Sequence, residues 1–258
     1  IVATGGCSYP TTGSTGDGWT FARALGHTIV RPRPALAPLE TAEPWVSGLA
    51  GVSVADVALT ATPPGERPVA CRGDLLFAHW GVSGPVALRL AWRLADYLTP
   101  PHRHIPLTID LLPDRTFDDL DIELQRLFTE NPRRRLPTIV GDMAPTALVK
   151  ILAAHLGPTP AKPVAEMTRD ERRRIVSHLK ALPLTVTKPR PIEQAIAVRG
   201  GVSRDEIDPK TMESRLHKGL YFAGEVMDVD GDCGGYNLQI AWSTGRLAGR
   251  MAAGPDEG

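Results

Sequence analysis

The chain is 258 residues long, enough for one large domain or for two to three smaller ones sharing a core, and its 29 Lys and Arg balance 29 Asp and Glu. That balance excludes a global field drawing the chain onto nucleic acid or a membrane surface, so a polyanionic partner has to be met by a local patch. Three widely spaced cysteines without a CxxC pair (Cys7, Cys71, Cys233) fit a reducing, cytoplasmic setting better than a disulfide framework, and no apolar run approaches the roughly 20 residues that span a bilayer.

The opening IVATGG reads as a short buried strand entering a tight turn. A buried strand needs neighbours, and with no initiator Met the chain is expected to be a piece of a longer polypeptide. The glycine-rich loop GGCSYPTTGSTGDG leads into a helix over residues 17–25, with Gly26 placed for a left-handed residue just past its end. Prolines in RPRPALAPLE then break the chain, and GVSVADVALTA and RPVACRGDLLFAHW flank the turn TPPGE as a strand pair. In AHWGVSGP, Pro85 suits the first turn of a helix and Ser83 its N-cap.

IPLTIDLL adds a strand, and LPLTVTK with IEQAIAV returns to the same β module after a helical detour. Within the detour, Leu120, Leu124 and Leu127 recur at helix spacing, as do Leu148, Ile151 with Leu152, and Leu156. TRDE at 168–171 is a capping box ahead of Ile175 and Leu179. GLYFAGE reads as a strand and NLQIAWSTGRLAGRMAA as a helix behind a double glycine, so the chain ends in the order in which it began. The fold class expected is α/β: a Rossmann-like nucleotide-binding domain formed by both chain ends (1–34 and 197–258), an inserted β module (35–113 and 183–196), and a helical insert within that (114–182).

GEVMDVDGDCGGYN sets Glu225, Asp228, Asp230 and Asp232 close together. An EF-hand loop would need Gly where Cys233 stands and a bidentate Glu where Gln239 stands, and no His or Cys at ligand spacing supports zinc, so no metal is expected. Nucleotide recognition uses the whole stretch. Glu225 at a strand end can accept hydrogen bonds from a ribose-like or ribityl hydroxyl, two glycines let the backbone pass close to a flat ligand, and the following helix directs its free N–H groups and about +0.5 charge at whatever lies ahead.

These stretches, together with GDLLFAHWGVSGP and GGVSRDEIDPKTMESR, resemble the BaiN/YhiN type of HI0933-like flavoprotein, often described as NAD(P)/FAD-dependent oxidoreductases, over nearly the whole chain and in the same order. The resemblance implies an FAD-binding domain from the chain ends, a β-barrel insert and a helical lobe within the barrel. It implies that Thr4, Gly5 and Gly6 contact FAD through backbone, with Gly224, Glu225, Gly234, Gly235, Tyr236, Asn237 and Leu238 beside the ribityl chain and isoalloxazine. Activity would be hydride transfer to an activated C=C bond with NAD(P)H as reductant, His79 or Tyr236 supplying the proton, and a steroid-like enone or a uracil base in RNA as substrate.

The family's GxGxxG turn, which carries the FAD pyrophosphate, is absent: GSTGDG has its glycines at other spacings. This chain alone is therefore expected to hold FAD weakly or not at all and to be inactive without an upstream segment. Several residues carry two readings. His79 is a proton donor or a loop histidine beside a capped helix; Tyr236 acts on the flavin or packs where loop meets helix; Cys7 and Cys233 are a redox pair or small packed thiols. The basic runs NPRRRLP and RDERRR are RNA contacts or solvated faces. A non-catalytic binding or scaffold module is the contrasting function.

Overall fold

The computed structural model describes residues 1–98, 104–141, 143–155 and 162–254. Two compact units divide the chain: Ile1–Pro38, Ala91–Thr99 and Pro189–Gly258 form one, Leu39–Leu90 and Pro100–Lys188 the other.

In the first unit, α1 (Asp17–Ala24) ends where Gly26 takes a left-handed φ of 83°, as its sequence requires. β1 (Ile29–Pro34) pairs antiparallel with β8 (Val198–Val202), and the last helix is α7 (Tyr236–Ala253). Their core is Trp19, Ala22, Val198, Val202, Phe222, Val226, Met227 and Ala248. Trp19 is bound in by more than packing, its Nε1 donating to the Val226 carbonyl at 2.9 Å.

Two expected strands are reduced here to single bridges. Val2 pairs in parallel with Phe222 alone, and Tyr221 bridges Glu213. IVATGG is therefore not a buried strand: Ile1 is 59% exposed, because one bridging neighbour covers only one side of it. GLYFAGE turns at Gly224–Val226 into a 3-10 helix instead of extending.

The second unit is a closed barrel in the order β2-β5-β4-β3-β6-β7. Its strands are β2 (Leu39–Thr41), β3 (Ser53–Ala61), β4 (Val69–Ala78), β5 (Gly81–Ser83), β6 (Ile105–Asp110) and β7 (Leu182–Pro189). Period-2 alternation fills it: Val57, Leu59 and Ala61 from β3, Leu75 and Phe77 from β4, Ile105, Leu107 and Ile109 from β6, and Leu182, Leu184 and Val186 from β7 are all buried. Closure leaves no free edge, so the strands need no covering layer. IEQAIAV does not join this sheet as expected. Pro191 leads into a 3-10 turn at Ile192–Gln194, and the residues beyond it pair with β1.

Helix α2 (Pro85–Arg93) follows β5. Its cap is Gly84, whose carbonyl accepts from Leu88 N–H, and not Ser83, which is spent pairing with Leu76 in the sheet. Gly84 is required there: φ is 88°, and a Cβ would lie 2.7 Å from the Asp74 carbonyl oxygen.

Between β6 and β7 come α3 (Phe117–Glu130), α4 (Leu136–Ile139), α5 (Thr146–His155) and α6 (Arg169–Lys180). Both α3 and α6 open with a reciprocal capping box, Thr116 with Asp119 and Thr168 with Glu171. The buried stripe of α3 is Leu120, Leu124 and Phe128, with the expected Leu127 only half-buried beside it. Leu148 and Leu152 are buried on α5, whereas Leu156 lies outside the described residues. No described helix is long and apolar enough to cross a membrane.

Candidate nucleotide site

The first glycine corner of the first unit closes on Glu225. Its Oε1 accepts from the Val198 N–H at 2.7 Å, and the Gly6 N–H also donates to the carboxylate. Gly6 leaves little room for a side chain, a Cβ there standing 3.0 Å from Glu225 Oε2. Next to it Gly18, in the first turn of α1, is pressed so closely on Thr4 that an added Cβ would fall 2.1 Å from Thr4 Oγ1. Glu225 thus ties the first loop to β8. Burial pushes its carboxyl pKa up from the ordinary value, against the two backbone N–H groups that favour the charged form, and Asp230 adds to the rise.

The other three carboxylates of the acidic run diverge. Asp228 accepts from the Gly200 N–H at 3.0 Å, and Asp232 accepts from the Cys233 N–H at 2.6 Å. Asp230 receives Arg199 side-on, Nε at 3.0 Å and Nη2 at 2.9 Å, while the Trp92 indole N–H donates to the same carboxylate and the Arg199 guanidinium lies over the Trp92 ring. The spacing that suggests a cation loop is spent on backbone caps and one partly buried ion pair.

Beyond it the loop closes on itself. Asn237 accepts from the Gly231 N–H and donates to the Gly231 carbonyl, both at 2.9 Å, and Thr244 Oγ1 on α7 accepts from the Gly224 N–H at 2.9 Å. Gly235 caps α7 at φ 91° with no side chain capping the helix, and a Cβ on it would meet nothing within 4 Å. The first N–H groups of an 18-residue helix therefore stand behind an open glycine turn. Tyr236 and Leu238, 60% and 58% exposed, flank that opening.

Of the residues singled out from sequence, Gly5, Gly6, Thr4, Gly224, Glu225, Gly234, Gly235, Tyr236, Asn237 and Leu238 all belong to this unit. Glu225 and Asn237 are engaged with backbone, while Thr4, Gly234, Gly235, Tyr236 and Leu238 are exposed. His79 belongs to the barrel unit, exposed on the turn between β4 and β5. Cys7 is half-buried, and burial, with the Glu193 and Glu225 carboxylates, pushes its thiol pKa up, which suits a packed thiol more than a reactive thiolate.

Sequence reading missed Arg199 and Trp92, 31 and 138 residues from Asp230. It also missed a buried chain in which His27 Nδ1 lies 2.9 Å from Glu206 Oε2 and Nε2 lies 2.9 Å from Ser214 Oγ. Ser214 Oγ accepts from the N–H groups of Leu216 and His217, so its hydroxyl donates to Nε2 and Nδ1–H donates to Glu206. Despite its Ser-His-Glu order this is no hydrolase site, because the serine oxygen is buried and its lone pairs are taken.

Fold and site together define an α/β protein with a Rossmann-like unit and a closed six-stranded barrel. The chain belongs to the HI0933-like family, whose Rossmann domain matches residues 1–251. It is 33% identical over 246 residues (95% of this chain, 57% of the relative) to a ribosomal RNA dihydrouridine synthase of Haemophilus influenzae. To the Escherichia coli protein of that name it is 32% identical over 249 residues (95% and 58%). A 3-dehydro-bile acid delta(4,6)-reductase of Clostridium scindens is 30% identical over 253 residues (98% and 61%). The chain thus spans about three-fifths of the length of these relatives.

Proposed function

We propose that this protein is a flavin-dependent reductase that binds FAD through its two glycine turns, takes its reducing equivalents from NAD(P)H and saturates an activated C=C bond. The observation that carries this reading is the uncapped start of α7 behind the open turn of Gly234 and Gly235, in a chain matching the HI0933-like family over residues 1–251. The residues present fit the flavin end of the cofactor. Glycine backbone allows close approach of a flat ring, and the helix N-terminus favours the negative charge that accumulates on a reduced flavin. When bound, FAD supplies the hydride chemistry. Glu225 and Asn237 hold the two loops in place, and Tyr236, an exposed phenol beside the opening, is the proton donor.

The relatives' names offer two substrates, a bile acid enone and a uracil base in ribosomal RNA. We favour RNA, because the helical part of the barrel unit carries exposed arginines with no acidic partner among the described residues. A non-catalytic binding module is the contrasting reading, favoured by the exposure of Leu238 and Trp242 on α7. Titration with FAD and with riboflavin, followed by tryptophan quenching, separates the two. Weak but saturable binding of both with similar affinity is expected, since the chain has no GxGxxG turn to add a pyrophosphate grip. Absence of saturable binding by either flavin overturns the reductase reading.

A further inference from the structure

We propose that the turn of Arg133, Arg134 and Arg135, between α3 and α4, is a phosphate-binding surface for structured RNA; this deepens the proposed function and rests on its RNA reading. Several other cations of the helical part are already paired. Arg126 pairs with Glu130 at 2.8 Å, Lys162 with Glu171 at 2.9 Å, and Arg172 with Asp121 at 2.7 Å, while Arg173 joins Asp121 and stacks on Phe117. Arg133, Arg134 and Arg135 are all exposed and form no ion pair among the described residues.

The backbone carrying them is nevertheless firmly held. Arg134 N–H donates to the Asn131 carbonyl at 3.0 Å, the Arg134 carbonyl accepts from Val164 N–H at 2.9 Å, the Pro132 carbonyl accepts from Ala165 N–H at 3.2 Å, and Arg135 bridges Pro163. Asn131 Nδ2 in turn donates to the Leu127 carbonyl, fastening the turn to the end of α3. Three adjacent like charges on a held backbone repel one another, and none of the three is in an ion pair among the described residues. Guanidinium groups offer forked donors that match phosphate oxygens, and a fixed backbone presents them with little ordering cost on binding. A lipid surface fits less well: the neighbouring Pro132, Ala165 and Glu166 are exposed and include no large apolar side chain to enter a bilayer.

The test measures binding of a hairpin RNA of defined sequence across a salt series, for the chain as it stands, for R133A/R134A/R135A and for R133K/R134K/R135K, with phosphatidylserine vesicles as a parallel probe. If all three side chains meet phosphates, the alanine variant should lose about 2 to 3 from the log-log salt slope, at about 0.7 to 0.9 per contact, while the lysine variant keeps its slope. Unchanged circular dichroism and flavin titration would show that both variants fold. RNA binding with an unaltered slope in the alanine variant overturns the surface and leaves the RNA reading standing. Salt-independent or absent RNA binding by the parent chain overturns both. Loss of vesicle binding with RNA binding intact assigns the turn to a membrane and overturns the proposal.

Discussion

The Val198 N–H donates to Glu225 Oε1 at 2.7 Å across 27 residues of chain, and through the Gly6 N–H the same carboxylate holds the first glycine loop. One side chain thereby joins the start of the chain, β8 and the loop before α7. The arrangement has a cost, because the carboxylate is desolvated where it sits.

That cost has a sign. A carboxyl whose folded pKa is raised binds its proton more tightly in the folded state, so its contribution is fully present below the unfolded pKa and is lost as pH rises through the folded pKa. Glu225 is raised from its ordinary 4.5 by burial first. Glu225→Gln keeps an oxygen for the backbone donors and removes the buried charge, so the melting temperature of the variant relative to the parent should climb between about pH 4 and pH 7. Thermal melts across that range check it, and a parent that gains on the variant as pH rises contradicts it.

Asp230 with Arg199 and Trp92 poses a different question. Asp230→Asn leaves the guanidinium partly buried without its counter-charge, and a loss of roughly 3 kcal/mol is expected, within the range for breaking a buried pair from one side. Arg199→Ala with Asp230→Ala together should lose less than the sum of the two single changes. Urea unfolding of the four proteins measures the coupling, and strict additivity would show that the pair is no unit.

Two glycines should respond in opposite directions to alanine. At Gly18 the new methyl meets Thr4 Oγ1 at 2.1 Å and Val226 Cγ2 at 2.8 Å, so Gly18→Ala should cost about 2 kcal/mol or more. At Gly245, in the middle of α7 with open space around it, Gly245→Ala should stabilise by about 0.5 to 1 kcal/mol. Denaturant midpoints decide both.

Ser214→Ala removes the oxygen that receives two backbone N–H groups and donates to His27. Three partners inside a buried network are left unsatisfied, for which about 2 kcal/mol is expected. A parallel Ser214→Thr, which retains the hydroxyl, should recover part of the loss, and equal destabilisation by both would point to packing alone.

Helix and barrel residues were largely legible before the structure. Alternating Leu, Ile and Val in LPLTV and IPLTI, and the box formed by Thr168 and Glu171, depend on neighbours within a few residues, where strand and helix periods act directly. Segments that depend on distant partners were misread. IVATGG and GLYFAGE have strand-like composition, yet they make only isolated bridges, Val2 with Phe222 and Tyr221 with Glu213. IEQAIAV has an apolar pattern that suits the barrel as well as it suits pairing with β1, and pairing register is invisible in one sequence.

The same division runs through the candidate site. By itself the sequence determined that two glycine turns at opposite ends each lead into a helix, and that α7 begins without a capping side chain, because a glycine's lack of Cβ and a helix's unsatisfied N–H groups are properties of local chain. Only tertiary structure decided what the carboxylates do. Glu225 became a clasp, Asp230 a partner of Arg199 and Trp92, and Asp228 a cap for Gly200, since a charged group brought out of water settles on whichever donor the fold carries within about 3 Å, and that donor can lie anywhere along the chain.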